Sequence, residues 1–209
     1  MKQTLLIITA LIITALMLVV GCSKPIADET LIGEEGLKYH PETKELYSGD
    51  VFKNYLGGKT EYEGSYKNGK QDGKWTYWYE NGQKIIEGTF KDGKEDGLLT
   101  KWYENGQMRE EGTFKDGKLD GKWTWWHENG QIKQEVTYKD GKPNGKAYGW
   151  YEIGQKRYEE TLKDGKPDGK WTKWYENGQK FGEGTHKNGE EISSKCWDED
   201  GNETDCPWW

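Results

Sequence analysis

Along most of the chain, short runs of Trp, Tyr, Thr, Phe and Ile alternate with polar clusters centred on glycine. A run such as Lys74-Trp-Thr-Tyr-Trp-Tyr-Glu80 is followed by Asn81-Gly82. The next, Lys84-Ile-Ile-Glu-Gly-Thr-Phe90, is followed by Asp92-Gly93. Aromatic and β-branched residues favour the pleated, half-buried surface of a strand, and glycine at this density excludes long helices. The pattern predicts antiparallel strands over roughly 74–80 and 84–90, joined by tight turns. Asn-Gly is read as a two-residue type I′ hairpin turn, which needs positive φ at both central positions. Asp-Gly-Lys-x-Asp-Gly is read as the second loop.

The pattern is periodic. The phrase at 74–83 returns at 98–107, 122–131, 146–155 and 170–179, and Glu-Gly-Thr-Phe-Lys-Asp-Gly-Lys at 87–94 returns with the same 24-residue shift. A fixed period of this length marks a repeat architecture in which each unit stacks on its neighbours. The expected fold is therefore all-β: an elongated, single-layer antiparallel sheet of tandem 24-residue β-hairpins. At about 4.8 Å per strand, five units span about 50 Å.

Within the repeat, Trp78, Trp102, Trp126, Trp150 and Trp174 form a column without exception and are expected to be the structural aromatic ladder. The next column is Tyr79, Tyr103, His127, Tyr151 and Tyr175. Alternation along a strand would put these two columns on opposite faces. Two columns vary: Tyr77, Lys101, Trp125, Gly149, Lys173, and Ile86, Glu110, Gln134, Tyr158, Gly182. A structural column stays constant, whereas a recognition surface can differ from unit to unit. Tyr77, Lys101, Trp125, Lys173 and Tyr158 are thus the candidate partner-binding residues. Relaxed constraint on a solvated face accounts for the variation equally well.

Composition refines this picture. Only 32% of the 209 residues are hydrophobic, yet there are 12 Trp and 13 Tyr, so the apolar material lies in flat rings along an array. The formal charge of −7 argues against nucleic acid, whose phosphates demand a basic patch. The histidines, His40, His127 and His186, are scattered. No nucleophile–base pair, phosphate loop or metal-ligand cluster has useful spacing, so the chain reads as non-catalytic, without metal or cofactor. The Glu80 and Gln83 columns flanking the turn are assigned to turn satisfaction or pairing with Lys.

The first residues read differently. Lys2 precedes an apolar run from Leu5 to Val20, too short for the roughly 20 residues of a membrane-spanning helix. Val19-Val20-Gly21-Cys22 follows and resembles the lipobox of a bacterial lipoprotein signal peptide, which implies cleavage before Cys22 and a lipid anchor on its thiol. The resulting boundaries are 1–21 signal peptide, 22–36 flexible tether, 37–191 repeats and 192–209 C-terminal cap. In an exported protein, Cys196 and Cys206 are expected to pair as a disulfide.

Glu-Gly-Thr-Phe-Lys-Asp-Gly-Lys-x-Asp-Gly-Lys-Trp, with Gly88, Phe90, Gly93, Gly97 and Tyr103 in one copy, resembles a MORN repeat, and more closely its bacterial variant. Whole chains of this type resemble the YwqK-family antitoxins. That resemblance implies binding of a partner toxin, here from an exported, membrane-anchored position at the cell envelope. The alternatives are a cell-wall or polysaccharide-binding aromatic module, or a structural envelope lipoprotein.

Overall fold

A computed structural model describes residues 24–206. Cys22 and the apolar run before it lie outside the described residues. Strands from Gly49 to Thr204 form one continuous sheet in which each strand pairs antiparallel with the next. One repeat comprises Gly73–Trp78 and Lys84–Lys91, and the following one begins at Lys94–Trp102. The all-β repeat ribbon follows directly from the aromatic runs and their spacing.

The two turns exchange the roles expected of them. At Asp92-Gly93 both residues have positive φ, 51° and 81°, and the same holds at 116–117, 140–141 and 164–165, which makes this the type I′ turn. At the other end Gly82 has φ 91° but Asn81 is not in the left-handed region. There the Gly82 amide donates to the Tyr79 carbonyl at 2.9 Å and the Tyr79 amide donates to the Gln83 carbonyl at 2.8 Å, closing a three-residue loop. Asn81 is needed for its side chain. Its Oδ1 accepts the Gln83 amide at 2.9 Å, and its Nδ2 donates to the Glu104 carbonyl of the next unit at 3.2 Å. Asn105 and Asn129 repeat both bonds. Ile153 cannot make either.

The tyrosine column tells the same story. Tyr79 begins the turn, and its hydroxyl reaches the Trp102 carbonyl one unit ahead at 3.3 Å. Tyr103 donates to Trp126 O at 2.8 Å, Tyr151 to Trp174 O at 2.8 Å, and Tyr175 to Trp197 O at 3.0 Å. His127 takes the tyrosine's place, with Nε2 at 3.2 Å from Trp150 O. The column is a row of tethers between units. Tyr103→Phe is expected to cost about 1 kcal/mol, the net worth of one such bond. A urea titration should show a lower midpoint with an unchanged slope.

The core column differs from the one expected. Trp78, Trp102, Trp126, Trp150 and Trp174 are half-buried. The fully buried column is Val51, Trp75, Leu99, Trp123, Ala147 and Trp171, at 1–8% exposure. The two lie on opposite faces. Trp75 shares its face with Tyr66 and Phe90, whose rings meet it edge-on at 5.1 and 6.4 Å. The outer Trp column shares its face with charged side chains: Lys84 and Lys74 both pair with Glu87, and the Lys84 ammonium lies 5.5 Å from the Trp102 ring centre. Lys156 sits likewise over Trp174, and Lys180 over Trp197. A tryptophan stacked under a lysine stem needs no apolar neighbour layer, which suits Trp102 and Trp174 to half-exposure.

Glycine makes room for the buried rings. A Cβ on Gly64 would fall 2.2 Å from the Trp75 ring, and one on Gly112 would fall 2.0 Å from Trp123. Where the chain puts Ala147 in the tryptophan column, it puts Val136 opposite it in the glycine column, so the larger residue offsets part of the lost ring.

Both ends depart from the expected boundaries. Of the tether expected at 22–36, the described residues 24–36 are folded onto the array. Ile26–Ala27 pairs in parallel with Val51 and Phe52, Asp28–Thr30 forms a 3-10 turn, and Ile32–Glu34 pairs with Leu37–Tyr39. Leu31 joins the cluster of Tyr47, Val51 and Trp75. At the other end the repeat runs into the cap. Tyr175 finds Trp197, and Asp198 to Asn202 closes the same turn as Tyr175 to Gln179. The shift there is 23 residues because the glycine found at 97, 145 and 169 has no counterpart. Cys196, 2% exposed, is joined to Cys206 by a disulfide that ties the last strand to the residues following Glu203–Thr204.

Candidate functional site

The buried-tryptophan face is not covered evenly. At its N-terminal end, residues 26–31 and Tyr47 fill it. At its C-terminal end the same face is open: Tyr158, Glu160, Trp171, Lys173 and His186 are among the walls of a concave groove that reaches Cys196 and extends to Glu159, Trp174 and Lys195 of the charged face. The variable columns lie on this face beside the core column. Tyr77 pairs with Ile86, Lys101 with Glu110, Trp125 with Gln134, Gly149 with Tyr158, and Lys173 with Gly182. Several of these partners compensate one another. Lys101 and Glu110 form an ion pair at 3.1 Å, and a Cβ on Gly149 would meet the Tyr158 ring at 2.1 Å. Part of the variation is therefore packing. Of the five candidates, Tyr158 and Lys173 line the groove, Tyr77 belongs to the filled end, and Lys101 and Trp125 lie between.

Glu160 was not visible from the repeat columns taken singly, and it is the departure that shapes the groove. Its column reads Gly64, Gly88, Gly112, Val136, Glu160, Gly184. Trp75 lies over Gly64 and its Nε1 donates to the Ser65 carbonyl at 3.1 Å. Glu160 occupies the equivalent space beside Trp171. That ring lies instead against Gly182 and Gly184, and its Nε1, like that of Trp123, is buried without an acceptor among the described residues.

The electrostatics separate two kinds of glutamate. Glu87, Glu110 and Glu159 hold ion pairs with lysines, or with lysine and arginine, and these hold their carboxyls below the ordinary value despite burial. Such pairs support the fold above the unfolded carboxylate range, and that support fades as pH falls through the lowered folded values. Glu160 is the reverse: burial pushes it above the ordinary value, and the charges of Lys173 and His186 only partly offset this. Its folded state holds the proton longer than the unfolded one, so this residue's contribution worsens as pH rises through that window. Burial, then the charge of Glu160, pushes the Tyr158 hydroxyl upward.

Asp198 and Asp200, part of the acidic run before Cys206, serve the last turn. The Asp198 carboxylate accepts the amides of Asp200 and Asn202 at 3.0 and 2.8 Å and is held below its ordinary value chiefly by Asn202.

Fold and face together define a β-hairpin repeat scaffold with one aromatic, partly open face. Four stretches, residues 71–92, 95–116, 119–140 and 167–188, match the family model described as MORN repeat variant. The stretch between the last two matches holds the most altered unit, with Ala147, Gly149 and Ile153. A comparison with curated proteins gives no match.

Proposed function

We propose that this protein is a non-catalytic scaffold, held on a membrane surface of the cell envelope by lipid on Cys22, whose aromatic face binds a protein partner. The observation that carries the reading is the open groove on the face that elsewhere forms the core. A surface already shaped to pack against polypeptide at one end is left bare at the other. A toxin is the kind of partner that the resemblance to antitoxins suggests, met from the exported side.

Polysaccharide binding is the weaker alternative. Sugars stack on bare rings, and Trp102, Trp174 and Trp197 each already lie under a lysine ammonium. Co-expression with the product of an adjacent gene is expected to give a complex that survives gel filtration. A choline or glucan titration is expected to leave Trp fluorescence unchanged, and saturable quenching would favour the carbohydrate reading. Cys22→Ser is expected to accumulate as an uncleaved precursor that takes up no alkynyl-palmitate label. Normal maturation of that variant would remove the anchor from the proposal.

A further inference from the structure

The 24-residue period relates the two ends of the aromatic face, four units apart. Tyr62, Gly64, Trp75, Tyr77 and Phe90 at the filled end correspond to Tyr158, Glu160, Trp171, Lys173 and His186 at the open end. The filled copy shows what such a surface holds. Leu31 packs into the cluster with Trp75, and Asp28, 6% exposed, brings a carboxylate into the rings. That carboxylate accepts the Tyr62 hydroxyl and the Lys38 ammonium through one oxygen, both at 2.8 Å. Lys38 also lies 5.9 Å from the Tyr66 ring centre. The filled site therefore contains an aliphatic side chain, a carboxylate and a cation among aromatic rings.

The open copy keeps two of those aromatic rings, Tyr158 and Trp171, with His186, Leu162 and Lys173 where Phe90, Tyr66 and Tyr77 stand, and it has a carboxylate, because Glu160 grows from the position where the filled copy has Gly64. Its cation, Lys173, is not bonded to that carboxylate. Nothing aliphatic stands where Leu31 does, and Glu160 has no ion pair or hydrogen bond among the described residues; Lys173 and His186 reach it only through their fields. Lys173 is exposed, with its ammonium 5.5 Å from the Trp171 ring centre. A half-buried carboxylate without a bonded counter-ion is unfavourable, and a ligand cation would relieve that cost. We propose that the groove receives a peptide segment of the partner that inserts a lysine or arginine against Glu160, with a neighbouring aliphatic side chain on Trp171. The proposal rests on the protein-partner reading above and gives its surface and chemistry.

The test uses the full chain labelled with 5-fluorotryptophan and two capped pentapeptides, alternating leucine and threonine, that differ only in carrying arginine or glutamate at the fourth position. The Trp171 fluorine signal is identified with Trp171→Phe. The arginine peptide is expected to shift Trp171 and leave Trp75 in place, and the glutamate peptide to bind at least tenfold more weakly. Glu160→Gln is expected to weaken the arginine peptide at least tenfold. Its melting temperature should be no lower than that of the parent, which shows that the fold is retained. Equal binding of the two peptides, no shift of Trp171 by either at millimolar concentration, or undiminished arginine-peptide binding by Glu160→Gln would each overturn the proposal. A co-expressed partner complex that withstands Glu160→Gln would keep the partner reading and reject this chemistry.

Discussion

Trp123→Ala is expected to cost about 3–5 kcal/mol, the range for emptying a buried aromatic site. Trp126→Ala, three residues along the same strand, should cost no more than about 2 kcal/mol, because that ring is only half withdrawn from water. Trp123 is 4% exposed and meets Phe114 edge-on at 5.2 Å and Trp125 at 5.9 Å. On one side its cross-strand neighbour is Gly112, which has no side chain to move into the space the ring would vacate; on the other it is Val136. Trp126 sits on the charged face, in the column whose relatives are stacked under lysines. Denaturant titrations of the two variants check the assignment of the core. Equal losses, or a larger loss at Trp126, would return the core to the invariant column.

Gly112→Val alone should also be strongly destabilising, because a side chain there meets the Trp123 ring. Overpacking of this kind costs about 1–3 kcal/mol. The pair Gly112→Val with Trp123→Ala recreates the Val136 and Ala147 arrangement found one unit later. The double variant is therefore expected to be more stable than Trp123→Ala alone, with a coupling of about 1 kcal/mol or more between the two sites. Additive losses in the double-mutant cycle would mean that Val136 and Ala147 do not compensate each other.

The period made the ribbon legible before any coordinates, since a hairpin signal repeated at constant spacing has few other solutions. It did less well inside the unit. Invariance drew the eye to Trp78 and its equivalents, but the buried column is the interrupted one, with Val51, Leu99 and Ala147 among its tryptophans. The readable sign was the reciprocal change of Gly to Val at 136, which takes on meaning only once 136 and 147 are known to face each other. The turn assignment failed for a related reason. Asn-Gly favours positive φ at both positions, yet Asn81 gains two side-chain bonds by staying out of that region, one of them to the next unit. The folding of residues 24–36 depends on contacts such as Asp28 with Tyr62, far apart in sequence, and no local pattern announces them. Glu160 was hidden for the opposite reason: a glutamate among many, unusual only for the face it points to.

The variable columns hold two kinds of residue. Lys101 with Glu110 and Gly149 with Tyr158 vary together and complete the ribbon. Tyr158 and Lys173 also border space that no described residue fills. The functional account rests on that space.

The most direct measurement of it is photocrosslinking from two tyrosines on the unit where the faces part company. p-Benzoylphenylalanine replaces Tyr158, in the groove, or Tyr148, on the opposite face beside Trp150. Each variant is expressed with the partner and irradiated. The account predicts a covalent adduct from position 158 and none from 148. An adduct from 148 with none from 158 would place recognition on the charged face and contradict it.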